Sequence, residues 1–85
     1  MSFHIEWSNE AIRRLRGLDK ETIRTVTARV LKLVTDPLHY GKRLHGLELC
    51  TLRAGTHRVL FTLDLDRRIV FIVTVGPRKT VYDRR

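Results

Sequence analysis

Arg58-Val59-Leu60-Phe61-Thr62-Leu63-Asp64-Leu65-Asp66-Arg67-Arg68-Ile69-Val70-Phe71-Ile72-Val73-Thr74-Val75 is the stretch that decides the fold. It contains two runs rich in β-branched and aromatic residues, 58–64 and 67–75, joined by a tight Leu65-Asp66 connection, and reads as an antiparallel hairpin. The segment Ile69-Val70-Phe71-Ile72-Val73 is apolar on both faces, so this strand belongs in the middle of a sheet with helices on one side. Upstream, residues 47–53 form another β-rich segment, linked to the hairpin through Ala54-Gly55-Thr56. Residues 37–46, Pro-Leu-His-Tyr-Gly-Lys-Arg-Leu-His-Gly, hold turn formers without a period and read as a loop crossing from a helical half to a sheet half.

The N-terminal half begins with strict alternation over residues 2–7. Phe3, Ile5 and Trp7 share one face, and His4 and Glu6 the other, as in a half-buried strand. Ser8 or Asn9 can cap a short helix carrying Ala11, Ile12, Leu15 and Leu18, which Gly17 and Asp19 interrupt. Asp19 then caps a longer helix running to about Thr35. Its apolar stripe is Ile23, Val26, Val30, Leu33 and Val34, while Lys20, Arg24, Arg29 and Lys32 face water, and Asp36-Pro37 ends it. The expected architecture is one α+β domain over residues 1–85 in the order β-α-α-β-β-β. Two N-terminal helices cover one face of a twisted, mainly antiparallel sheet, and the open face is lined with arginines.

Seventeen Lys and Arg against nine Asp and Glu give a net charge of +8, and the excess is not evenly spread. Residues 1–40 carry seven basic and five acidic side chains, whereas residues 41–85 carry ten and four. Eight of those ten are arginines, whose planar, permanently charged fork matches phosphate; this bias points toward nucleic acid. No apolar run approaches the roughly 20 residues that span a bilayer, so no membrane association is expected. Met1-Ser2-Phe3-His4 lacks a basic region followed by an apolar one, which argues against export. The lone Cys50 cannot close an internal disulfide and is expected to be a small core residue; a reducing cytoplasm suits it. The four histidines and one cysteine show no ligand spacing, so neither metal nor cofactor is expected.

The string Arg53-Ala54-Gly55-Thr56-His57-Arg58-Val59-Leu60-Phe61, followed by an acidic turn, an apolar strand and Val75-Gly76-Pro77-Arg78-Lys79-Thr80-Val81-Tyr82, resembles the RelE/ParE toxin superfamily of bacterial toxin–antitoxin modules. Trp7, Ala11 and the Gly41-Lys42-Arg43-Leu44-His45-Gly46 loop extend the resemblance over almost the whole chain. It implies a RelE-like fold and a cytoplasmic toxin held inactive by a cognate acidic antitoxin, meeting operator DNA only through that antitoxin complex. RelE-like members are ribosome-dependent messenger RNA endoribonucleases that inhibit translation. ParE-like members poison DNA gyrase without being nucleases. The RelE-like branch implies Arg58, Arg78 and Tyr82 as catalytic residues; the further cations Arg53, Lys42, Arg43 and Lys79 are expected, by their charge, to contact RNA phosphates. The chain departs from that pattern at three places: Leu49 and Thr51 stand near positions of strand lysines, Pro77 stands where many relatives have His, and His57 where most have Tyr.

These residue types suit metal-independent RNA cleavage. In-line attack of a 2′-hydroxyl on its own phosphorus needs a group to take the proton, cations for the charge on the phosphorane, and a proton for the leaving 5′-oxygen. Arg58 and Arg78 are the cations, and Tyr82 either stacks on a base or transfers a proton. Plainer roles are open to each: Arg58 pairing with Asp64 or Asp66, Arg78 as a solvated charge, Tyr82 packing on the sheet edge. His57, adjacent to Arg58 in a strand, should point to the opposite face. A gyrase poison and a basic binding module with a decayed site are the competing functions.

Overall fold

In a computed structural model of the chain, which describes residues 2–43 and 49–77, the alternating N-terminal segment forms the strand His4–Trp7 (β1). Phe3, Ile5 and Trp7 pack on the core while His4 and Glu6 are exposed. Ser8 turns the chain into the helix Asn9–Arg16 (α1). Its hydroxyl accepts from the Ala11 N–H at 2.9 Å, capping the helix, and donates to the Val73 carbonyl at 2.7 Å. After Gly17, Asp19 opens the helix Lys20–Leu31 (α2). Asp19 accepts a hydrogen bond from the Thr22 hydroxyl, which holds its carboxyl below the ordinary carboxylate range.

The second helix is shorter than its apolar stripe suggests. It tightens at Lys32–Val34 into a single 3₁₀ turn, which still buries Leu33. The segment read as a plain loop is also more ordered. Asp36 accepts from the His39 N–H at 3.1 Å, and with Pro37 in the first turn it seeds a one-turn helix, Pro37–Tyr40 (α3). Lys42–Arg43 then forms a two-residue strand (β2). A single turn and a two-residue strand are too short to leave a period, which is why turn formers alone were legible there.

Three strands complete the chain: Cys50–Ala54 (β3), His57–Asp64 (β4) and Ile69–Pro77 (β5). The turn between β3 and β4 needs Gly55, which sits at φ +63°. At the next turn Asp64 accepts from the Arg67 N–H at 3.0 Å. The sheet has five strands rather than the four expected, in the order β1-β5-β4-β3-β2, with β2 added as an edge. β1 runs parallel to β5 and the other pairings are antiparallel, so β5 is interior, as its apolar run requires. Ala11 of α1, Val26 and Val30 of α2, and Leu33 pack on Cys50, Leu52, Ala54, Val59, Phe61, Val70, Ile72 and Val75 from the sheet. Cys50 is thus a core residue.

One irregularity governs what faces where. Leu60 pairs with Thr74, but the next residue, Phe61, pairs with Ile72, so Val73 is an extra residue on β5, a β-bulge. The bulge moves Val75 onto the helix-covered face together with Val70 and Ile72, and turns Thr74 onto the other face.

Candidate phosphate-binding face

Because Leu52 and Ala54 point into the core, Arg53 and Thr51 project from the opposite face of β3. The register places Arg53 directly opposite Arg58 on β4, and Arg58 opposite Gly76 on β5. One row lower, Thr51, Leu60 and Thr74 lie side by side across the same three strands. Two guanidinium-bearing residues are therefore cross-strand neighbours, with Cβ atoms on the order of 5 Å apart. Like charges so placed repel, and their joint field favours an anion beside them. Arg53 is exposed, whereas Arg58 is 9% exposed, which strengthens its interaction with any anion that reaches it. Arg29 of α2, read as facing water, is instead half-buried, and its Nε donates to the Arg53 carbonyl at 3.1 Å, bringing a third arginine to this end of the sheet.

The plainer role for Arg58 meets a geometric obstacle. Asp64 lies six residues further along the same strand, roughly 20 Å away, and its carboxylate faces Arg67, with Nε at 3.9 Å. His57 pairs with Ala54 and Pro77, so it lies on the face away from Arg58, as alternation requires; its Nδ1 is 3.4 Å from the Thr56 hydroxyl. Lys42 and Arg43 belong to the edge strand β2, where Lys42 pairs with Thr51 and so stands at the end of the Thr51-Leu60-Thr74 row. Arg78, Lys79 and Tyr82 lie outside the described residues. The structure thus brings Arg53 and Arg58 together.

Sequence reading missed the hydroxyls of this face. The Oγ1 atoms of Thr51 and Thr74 are both buried and have no hydrogen-bond partner among the described residues. A polar residue within the apolar run of β5 was the visible signal for Thr74, but its direction depends on the bulge at Val73, which no local pattern announces.

A family model described as the ParE toxin of type II toxin–antitoxin systems matches residues 5–82. A chain of the RelBE2 toxin–antitoxin complex from Mycobacterium tuberculosis superposes with a TM-score of 0.82 at 26% identity, over 92% of this chain and 100% of that one. Chains of the archaeal RelE–RelB complex from Pyrococcus horikoshii (TM-score 0.74, 19% identity, 92% and 97% covered) and of the intact RelBE complex of E. coli (0.77, 16%, 89% and 96%) share the fold. No curated protein sequence matches the chain significantly.

Proposed function

Because the chain belongs to the ParE toxin family of type II toxin–antitoxin systems, we propose that, released from an acidic cognate antitoxin, it cleaves messenger RNA on the ribosome. Toxin membership rests on family and fold; the choice of reaction rests on one observation, the cross-strand pair of Arg53 and Arg58 on the face of the sheet opposite the helices. A protein–protein inhibitor has no need of a largely buried arginine facing a second one. A phosphoryl-transfer site does, because charge grows on the phosphorane oxygens and a guanidinium already shielded from water stabilises it without reorganisation. In this reading the 2′-oxygen forms a bond to phosphorus while the bond to the 5′-oxygen breaks, leaving a 2′,3′-cyclic phosphate and a 5′-hydroxyl. Arg58 and Arg78 stabilise the transition state, Tyr82 stacks or transfers a proton, and Arg53, Lys42, Arg43 and Lys79 hold RNA phosphates.

A second reading keeps specific support: the matching family model is named for ParE toxins, and Pro77 replaces a histidine of the RelE-like pattern. Gyrase poisoning would then be the activity. One experiment separates the two. The purified chain is mixed with ribosomes programmed with a defined message, and in parallel with gyrase and supercoiled DNA. Message cleavage by the wild-type chain, reduced on the order of 10²-fold by Arg58→Ala, is the expected result. Gyrase-dependent DNA breaks with an intact message would transfer the assignment.

A further inference from the structure

The end of the β3–β4 hairpin, which carries Arg53 and Arg58, has less support than the rest of the sheet. The Arg53–Arg58 pair stands next to Ala54–His57, the pair that closes the turn. On the outer side of β3, the edge strand β2 begins at Lys42, opposite Thr51, so Leu52, Arg53 and Ala54 have a strand partner on β4 alone. The turn is also loosely packed against the helix layer. A cleft of about 180 Å³ is lined by Thr22 and Thr25 of α2 on one side and by Ala54 and Gly55 on the other. A Cβ added at Gly55 would meet Thr25 Cγ2 at 4.0 Å and nothing nearer. One side chain bridges the two layers here: Nε of Arg29, on α2, donates to the Arg53 carbonyl at 3.1 Å. Arg29 is half-buried, and among the described residues neither it nor Arg53 has a carboxylate partner. Its fixed donor is spent on the main chain of the residue whose side chain stands opposite Arg58.

We propose that Arg29 is a positioning residue, which holds the Arg53 carbonyl and thereby keeps the Arg53 side chain beside Arg58. The proposal deepens the function given above and rests on its assignment of Arg53 as a phosphate contact. The carbonyl carbon of Arg53 is bonded to the Cα that bears its side chain. Fixing that oxygen fixes the peptide plane, and with it the direction in which the Arg53 Cβ leaves the pleat. Direction matters at this pair because like charges directly opposite one another repel, so a hairpin end free to twist would carry the two guanidinium groups apart. A contact held in place before an anion arrives costs less ordering when it binds. The bond is made by Nε, three bonds beyond Cβ, and glutamine carries its amide nitrogen at the same place without the charge.

The test is a double-mutant cycle on the full chain, with Arg29→Ala, Arg53→Ala, the double variant and Arg29→Gln. Each is titrated with a 2′-O-methyl RNA dodecamer, which cannot be cleaved, and assayed for message cleavage on the ribosome. Arg29→Ala should weaken binding of the dodecamer about five-fold in the native chain and by less than about two-fold when residue 53 is already alanine. Arg53→Ala keeps its carbonyl, so a purely structural effect of losing Arg29 would be equal in both backgrounds. Arg29→Gln should bind within about two-fold of wild type. Equal losses in the two backgrounds would overturn the proposal, and so would a glutamine variant as weak as alanine, which would make Arg29 a direct charge contact. Either result alongside message cleavage that needs Arg58 would leave the ribonuclease reading standing. The expected coupling in a chain that cleaves no message would remove that reading and keep the role of Arg29. Wild-type protein that binds no dodecamer would overturn the proposal outright.

Discussion

At the scale of single residues the site is a matter of direction. Arg58 is enclosed on the face opposite the helices, while its neighbour His57 lies on the other face. Under the proposed ribonuclease reading, His57→Gln should therefore leave message cleavage within a few-fold of wild type, in contrast to Arg58→Ala. Tyr82 allows its two roles to be told apart, since Tyr82→Phe keeps the ring and removes only the hydroxyl. If Tyr82 transfers a proton, single-turnover cleavage should fall for Phe nearly as far as for Ala, on the order of 10²-fold; if it stacks, Phe should retain most of the activity. Gly41 illustrates direction of another kind. A Cβ added there would stand 2.3 Å from Cζ of the fully buried Phe61, so Gly41→Ala must displace that ring. Urea denaturation should register a loss of about 1–3 kcal/mol.

At the scale of elements, one hydroxyl joins three of them. Ser8 ends β1, caps α1 through the Ala11 N–H and donates to Val73, the bulged residue of β5, while its own N–H donates to the Ile72 carbonyl at 2.9 Å. Ser8→Ala leaves two backbone groups without that partner. The expected destabilisation is about 1–2 kcal/mol, read by denaturant titration.

At the scale of the whole molecule, charge sets how the protein meets a polyanion. A chain with a net charge of +8 that neutralises several phosphates releases their counterions on binding. If the proposed ribosome-bound ribonuclease reading holds, ribosome affinity should fall by orders of magnitude between about 50 and 200 mM salt, and substitution of Lys42, Arg43 or Lys79 by Ala should make the dependence shallower. Affinity that is flat with salt would show that the basic surface is not the contact. The same charge favours an acidic antitoxin, and that complex should likewise loosen with salt.

The sequence alone determined the secondary elements whose signals are local and repeated. Alternation over residues 2–7, helical spacing through Val26, Val30 and Leu33, and the apolar run of Ile69–Val73 each report one buried face, and together they required helices on one side of a sheet with β5 inside. The Arg53–Arg58 neighbourhood was half legible: both arginines were visible, and the turn at Gly55 implied that their strands pair. Tertiary structure alone decided the remainder. Lys42–Arg43 becomes a strand only because β3 lies beside it, and Arg29 turns from the solvent because the Arg53 carbonyl is within reach. Thr74 faces the arginines because one extra residue at Val73 shifts the pleat by a step. Strand periodicity has a memory of two residues, so a one-residue insertion reverses every later side chain, and whether a pairing absorbs such an insertion is settled by the partner strand and by the Ser8 hydroxyl waiting for the displaced carbonyl.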